Sequence, residues 1–436
     1  MLNQDSLKEL RNRIYFVLFA ILIFRLGAHI PVPGVDFVKL AEFFQKNQGG
    51  IVGLFNMFSG GAFSKLTIFA LGVMPYISAS IIMQLLSTSH PHLSQLRKEG
   101  DSGRRKISQY TRYGALLISL LQGSATTTWL ISQDLVIQAS LIFYITSVAT
   151  LATGTMFLVW LGEQMTEKGI GNGISLIIVL GIVSSLPSAC GQLLMQVRQG
   201  QMNTIAFVGL LIFVASLILF VVYMERALRK ITVNYPKRQH GNKLYGGQSS
   251  SLPLKINMAG VIPPIFASMV IMFPGTLISW FGSAAKTGIL GEVLYAISPG
   301  QPLYLVIFAA SIIYFCFFYT SVMFEPKDIA DNLKKSGALV PGIRPGANTA
   351  SYIDQVVTRL TFIGSIYLVI VSLIPQFLIQ ALGVPFYFGG TSLLIIVVVI
   401  MDFVSQLQMH MLPSQYRELG SKQGKKGNQS KLHLLR

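Results

Sequence analysis

The sequence predicts an all-α membrane protein that crosses the bilayer ten times. Charged residues make up only 12% of the 436 residues, against about 25% in an average soluble domain. This composition excludes a soluble enzyme with a largely aqueous surface. Membrane-spanning helices need about 20 predominantly apolar residues. Ten segments approach or exceed that length, namely 15–33, 67–88, 111–131, 141–161, 173–192, 205–225, 257–281, 303–323, 358–381 and 388–408.

Basic residues give the number of spans an independent test, because Lys and Arg concentrate in cytoplasmic loops. Nearly all of the 34 Lys and Arg residues lie in the two tails and the even-numbered loops. The exceptions are Lys39, Lys46, Lys65, Arg198 and Lys286 in the alternate loops, and Arg25 inside the first segment. We therefore expect both termini to be cytoplasmic. No small-residue cleavage site follows the first apolar run, which predicts a retained anchor rather than a signal peptide.

Three of the predicted cytoplasmic loops are long and basic, in a chain of net charge +17. They cover residues 90–112, about 227–256 and about 324–357, and a basic tail follows at 409–436. Positive-inside bias alone explains cations in these loops, but it does not explain Gly and Pro at their tips. We expect hairpin-like projections that bind an anionic partner, such as ribosomal RNA or an acidic protein surface.

A short polar segment precedes the second span. Residues 54–66 are too few to cross a bilayer, Gly60 and Gly61 interrupt them, and Lys65 charges them. Irregular backbone survives at membrane depth only where it is buried in protein or lines a water-filled cavity. Two interpretations remain open: an amphipathic lead-in to the span, or a short mobile helix folded into the mouth of a pore.

The sequence contains no recognisable catalytic or metal-binding pattern. Cys190 and Cys316 lie in separate apolar segments, and the 6 His residues have no ligand spacing. GIGNG at 169–173 has no preceding strand and no following Lys-Ser or Lys-Thr, so it predicts a turn that starts a helix rather than a phosphate loop. We expect no cofactor, no metal and no enzymatic activity, which argues against a membrane-embedded hydrolase.

An ion-coupled secondary transporter is the main alternative class. Such proteins also have ten or more spans with broken helices, and they use buried carboxylates or histidines near the midplane. The acids Glu163, Glu225 and Asp402 lie at the predicted cytoplasmic ends of spans, where we expect water to reach them. This placement argues against ion coupling.

Six motifs resemble the SecY family, the channel subunits of the bacterial Sec translocon. They are FNMFSGGAFSKLTIFALGVMPYISASII, KEGDSGRRKISQYTRYG, LGEQMTEKGIGNGISL, PLKINMAGVIPPIFAS, DNLKKSGALVPGIRPG and VPFYFGGTSLLIIVVVIMD. The resemblance implies two pseudo-symmetric five-helix halves, 1–192 and 193–408, around a central hourglass pore. It also implies that the protein translocates unfolded secretory polypeptides across the bacterial cytoplasmic membrane and releases membrane helices laterally into it.

The resemblance assigns a plug and a pore ring. A short re-entrant plug helix at about 56–65 would contain Asn56, Phe58, Ser59, Gly60, Gly61 and Lys65. The pore ring would consist of Val73, Ile77, Ile178, Ile265 and Ile395. Relatives often carry isoleucine at the position of Val73, which lies four residues before Ile77 and so shares its helical face. A narrow apolar collar gates ions by dewetting.

A lateral gate between spans two and seven is also implied, with Ser78 facing Phe273. Span seven, at 257–281, contains Pro263, Pro264 and Pro274. Proline removes helix hydrogen bonds, so these residues predict a kinked helix.

The implied partners are the small membrane subunits SecE and SecG, the SecA motor ATPase, the ribosome, signal sequences and nascent chains, and anionic lipids. The predicted motor or ribosome contacts are Arg344, Arg238, Lys243, Arg104 and Arg105. Relatives often carry two adjacent basic residues at the loop tip where this chain has Asn242 and Lys243, a departure from the family pattern.

Overall fold

The protein is mostly helical, and helices satisfy the backbone hydrogen bonds of a membrane-spanning segment within that segment. The computed structural model describes residues 2–46, 59, 61–200, 203–235, 238–240, 243–245, 249–281, 301–382, 390–409 and 411. Its helices are α1 (Leu2–Gly27), α2 (Phe37–Lys46), α3 (Met74–Ser89), α4 (Pro91–Lys98), α5 (Asp101–Ser132), α6 (Leu141–Lys168), α7 (Gly173–Arg198), α8 (Thr204–Arg226), α9 (Ile262–Phe281), α10 (Pro302–Met323), α11 (Pro326–Lys335), α12 (Ala347–Leu382) and α13 (Gly390–Met409).

Each of the ten predicted apolar segments overlaps one of these helices. Within the described residues, 7 helical stretches are long and apolar enough to cross a membrane. The chain is therefore a multi-pass membrane protein, and its helices are consistent with the predicted ten spans.

The second span differs from its predicted bounds. Helix α3 begins at Met74 rather than at residue 67, because residues 68–73 form turns. At 1.5 Å per residue its 16 residues extend about 24 Å, which is shorter than a hydrocarbon core of about 30 Å. The turns at 68–73 must therefore supply the rest of the path.

The start of α9 also differs from the prediction. This helix begins at Ile262, so Pro263 and Pro264 lie in its first turn. The first N–H groups of a helix have no intrahelical partner, and proline loses nothing there. Pro263 and Pro264 therefore begin the helix rather than kink it, and a kink at Pro274 stays a prediction.

The helices pack in two groups that follow chain order. One connected group contains α1, α3, α4, α5, α6 and α7, and the other contains α9, α10, α11 and α12. The two groups touch where α5 contacts α9. This grouping supports the two halves, whose boundaries at 192 and 193 stay a prediction.

The three long basic loops have different shapes. In residues 227–256, β1 (Leu228–Asn234) pairs antiparallel with β4 (Ser249–Lys255), and β2 (Arg238–His240) with β3 (Lys243–Tyr245). This confirms the hairpin predicted for that loop. The other two loops are helical: 90–112 holds α4 packed against the start of α5, and 324–357 holds α11 packed against α12. Hairpin-like projections of these two loops stay a prediction. Lys, Arg, Gln and Glu favour helices, and that preference prevails there.

These loops meet on one side of the molecule, which we call the basic face. Asn234 and Leu339 donate backbone hydrogen bonds to each other at 2.8 and 2.9 Å. Arg97 Nη2 donates to the carbonyl oxygen of Val322 at 2.7 Å. Beside this contact lies a cavity of about 1220 Å³, lined by residues of 87–97 and 321–354. The basic face therefore joins segments from both helix groups.

Candidate pore and lateral gate

The five residues of the predicted pore ring belong to one larger hydrophobic cluster, which contains 17 buried residues and the apolar side chains packed against them, and which we call the ring cluster. They come from four distant elements: Val73 directly precedes α3, Ile77 lies in it, and Ile178, Ile265 and Ile395 lie in α7, α9 and α13. Four side chains are 1% to 7% exposed, and Ile77 packs against them half-buried. The structure thus brings the five together, and their role as a gate stays a prediction.

The chemistry of the ring cluster suits a closed constriction. Ile178 and Val73 belong to the first helix group, whereas Ile265 belongs to the second. Aliphatic side chains give water no hydrogen-bond partner, so a narrow collar of them excludes a continuous file of water and ions. A relative movement of the two helix groups would widen such a collar.

The described part of the predicted plug packs against the same cluster. Ala62 is a buried member of it, and Ser59 is also buried. The Ser59 hydroxyl accepts a hydrogen bond from the backbone N–H of Phe63 at 3.0 Å. Lys65 is exposed. Within the described residues, this segment therefore contributes the small side chain of Ala62 to the ring cluster.

A plug helix extending to Lys65 is wrong for the described residues, because 61–66 form turns. Gly61 has φ +80°, a left-handed conformation that glycine adopts at little cost and that ends a right-handed helix. Asn56, Phe58 and Gly60 lie outside the described residues.

Backbone hydrogen bonds and ring stacking hold the turns at 61–73, at the end of the molecule opposite the basic face. Val32 N–H donates to the Leu66 carbonyl at 2.9 Å, and Ile68 N–H donates to the Ile30 carbonyl at 3.0 Å. Phe63 stacks on Trp129, which lies in the last turn of α5, with 6.3 Å between ring centroids. Since α5 starts on the basic face, its last turn lies at the other end.

The predicted lateral gate has a direct contact, although with a different partner. Ser78 Oγ in α3 donates a hydrogen bond to the Met269 sulfur in α9 at 3.2 Å. The side chain of Phe273 lies outside the described residues. Met269 precedes Phe273 by four residues, so the two share a face of α9. That spacing is the signal from which Met269 could have been found.

One acid is less accessible than the sequence predicted. Glu225 is buried at 8% exposure, so the expectation that water reaches it is wrong. Its Oε1 accepts hydrogen bonds from Asn257 Nδ2 at 2.6 Å and from the Tyr367 hydroxyl at 3.4 Å. Glu163 pairs with Arg112 at 2.8 Å and Asp402 is exposed. Sequence reasoning missed the Glu225 cluster because its partners are distant in the chain.

The motif GIGNG does form the predicted turn. Residues 169–171 bend, and the Asn172 side chain accepts hydrogen bonds from the N–H groups of Ile174 and Ser175. Asparagine is a preferred N-cap residue for this reason. The turn therefore starts α7, the helix that carries Ile178.

Known proteins place this architecture in a family. A family model described as SecY matches residues 67–404. Protein translocase subunit SecY of Pseudomonas aeruginosa is 54% identical over 426 residues, which cover 98% of this chain and 96% of that protein. The chain belongs to the SecY family. Protein translocase subunit SecY of Escherichia coli is also 54% identical, over 97% of each chain.

Solved structures share the SecY fold at lower identity. One described as a protein conducting channel has a TM-score of 0.67 at 18% identity, over 93% of each chain. Another, described as showing that the plug domain of the SecY protein stabilises the closed state of the translocation channel, has a TM-score of 0.68 at 18% identity over the same shares. At this identity the likeness shows the fold alone.

The predicted motor and ribosome contacts of this SecY-family chain are spread over the basic face. Arg344 is exposed, and its carbonyl oxygen accepts a hydrogen bond from Thr349 Oγ1 at 2.9 Å. Arg104 and Arg105 are exposed near the start of α5. Arg238 and Lys243 lie in the backbone of β2 and β3, and their side chains lie outside the described residues.

Proposed function

We propose that this chain forms a protein-conducting channel for unfolded secretory polypeptides in the bacterial cytoplasmic membrane. The observation that carries the proposal is the ring cluster, which contains five aliphatic residues from four elements distant in the chain. A collar of methyl groups offers a passing chain no fixed hydrogen-bond partner, yet it excludes ions when narrow. The membership of this chain in the SecY family supports the same function.

Two further parts complete the channel. The segment at about 56–65 acts as the plug, and the packing of Ala62 against the ring cluster supports this role. Helices α3 and α9 form the lateral gate, through which signal sequences and membrane helices leave for lipid. The contact between Ser78 and Met269 supports a closed gate that has to separate.

The partners of the channel dock on its basic face. Both termini are cytoplasmic in this proposal, so the basic face meets the SecA motor or the ribosome and lies beside anionic lipids. Arg344 has the exposure and the bidentate donor geometry to bind an acceptor on the motor. SecE and SecG associate with the helix bundle. A relative by fold, at 18% identity, is described as Sec61 in a canine ribosome-channel complex.

One observation favours a second candidate, an ion-coupled transporter, because Glu225 is a buried carboxylate. It lies in the last turn of α8, however, at the end of a helix rather than at its middle. Its acceptor oxygen also already has two donors. Both facts suit a structural carboxylate better than an ion-binding one.

Reconstitution in vesicles tests the proposal. Vesicles that contain the protein with SecE, SecG and an energised SecA should take up an unfolded secretory chain only when it carries a signal sequence. A matched chain without a signal sequence is the control. Uptake of a small solute against an ion gradient, with no uptake of the polypeptide, would refute the channel and favour the transporter.

A further inference from the structure

A buried polar cluster holds the point where the chain enters α9. Asn257 lies five residues before this helix and is 5% exposed. Its Nδ2 donates to Glu225 Oε1 at 2.6 Å and to the Gly260 carbonyl at 3.1 Å, while its Oδ1 accepts from the Gly260 N–H at 3.1 Å. Asn257 therefore closes a tight turn and ties that turn to α8.

The third helix of this cluster is α12. Its Tyr367 is 3% exposed and donates its hydroxyl hydrogen bond to the same Glu225 oxygen at 3.4 Å. Gly364, one turn earlier in α12, leaves space for the backbone of Ile256 and Asn257, which a Cβ would approach to 2.9 and 3.5 Å. The hydrogen bonds of Glu225 Oε1 thus connect α8 with the turn before α9 and with α12.

Helix α9 carries one residue of the predicted pore ring and one residue of the predicted lateral gate. Ile265 of the ring cluster is four residues into α9, and Met269, which contacts Ser78, is one turn further. Because both residues lie within the first two or three turns of α9, a shift of its start moves them together. The position of Asn257 therefore sets where the pore ring and the gate contact lie.

Stability alone does not explain an acid at this place. Burying a carboxylate carries a large desolvation penalty, and well-packed apolar residues often replace buried polar pairs with no loss of stability. A buried hydrogen-bonded group does, however, fix one geometry, because any other arrangement leaves it unpaired. The cluster is therefore suited to defining the position of α9.

We propose that Glu225 is a positioning residue for the lateral gate: through Asn257 it holds the start of α9 against α8 and α12, and so favours the closed gate. This inference rests on the proposed channel function. Loss of the link should let α9 leave α3 more readily, and the channel should then accept substrates with defective signal sequences.

Exchange of donor and acceptor tests this link. Asn257→Asp keeps the oxygen that accepts from the Gly260 N–H, but it places a carboxylate against Glu225 and removes the donor to Glu225 and to the Gly260 carbonyl. Glu225→Gln combined with Asn257→Asp restores a donor opposite an acceptor with the roles reversed. We expect Asn257→Asp to raise export of a defective-signal reporter on the order of tenfold, equivalent to about 1.4 kcal/mol. The double variant should return towards wild type.

Cross-linking measures the gate itself. In a Cys190→Ser, Cys316→Ala background, Ser78→Cys and Met269→Cys place thiols on α3 and α9, and Asn257→Asp should lower their cross-linking yield. Glu163→Gln, which removes the negative charge from the pair with Arg112, is the matched control and should change neither readout. Unchanged signal stringency and cross-linking in Asn257→Asp, with normal-signal export intact, would overturn the positioning role. Loss of all export by wild type would instead refute the channel function.

Discussion

Replacing Ile265 with asparagine should make the closed channel conduct. Ile265 is 7% exposed within the ring cluster, so almost all of its side chain is shielded from water in this structure. Asparagine at that position buries an amide without a partner, which costs about 1–3 kcal/mol in proteins. A hydrated open pore removes most of that cost. The amide therefore destabilises the closed state relative to the open state by a similar amount.

This free-energy difference sets the ratio of open to closed channels. About 1–3 kcal/mol corresponds to a change of roughly 5–150-fold in the ratio of open to closed channels. Planar-bilayer recordings should show greater resting conductance for Ile265→Asn, and cells should export a defective-signal reporter more efficiently. Ile265→Val is the matched control, because it removes one methylene and adds no polar group. It should change both readouts much less.

Two outcomes would contradict a gate that Ile265 closes by excluding water. If Ile265→Asn reaches the membrane at the normal level and both conductance and signal stringency stay unchanged, Ile265 does not line the constriction. If Ile265→Val opens the channel as much as Ile265→Asn, packing volume rather than hydration controls the gate.

Three further perturbations test other parts of the molecule. Arg97→Ala removes the hydrogen bond to Val322 that joins the two helix groups on the basic face. Because Arg97 is partly exposed, we expect the closed state to lose only about 1 kcal/mol of stability, which raises the ratio of open to closed channels roughly fivefold. Conductance measures this rise, and Arg97→Lys, which keeps a cationic donor, is the control. Equal conductance in wild type and both variants would contradict the prediction. Arg344→Glu reverses an exposed charge, so SecA-driven export should be lost while membrane level and assembly with SecE stay normal. Normal export by Arg344→Glu would rule out the motor contact. Deletion of 56–65 should leave translocation working and raise the ion leak of the closed channel, whereas a deletion that abolishes folding would support the lead-in interpretation.

The sequence determined the class of the protein and the path of its chain. Long apolar segments can satisfy their backbone only as helices in lipid, and each of the ten predicted segments overlaps a helix. Motif likeness to the SecY family singled out the ring residues, including Val73 and Ile395. Local chemistry also predicted the turn at 169–173, because Asn172 caps the helix that follows it.

The tertiary structure decided how these parts come together. The five ring residues meet through packing between helices far apart in the chain, which no local periodicity encodes. The turns at 61–73 replace the expected helix, since Gly61 is left-handed and backbone bonds to Ile30 and Val32 compete with a helical ladder. Glu225 is buried for the same reason: its partners arrive from two other elements, and only their packing makes an acid at the end of a span inaccessible to water.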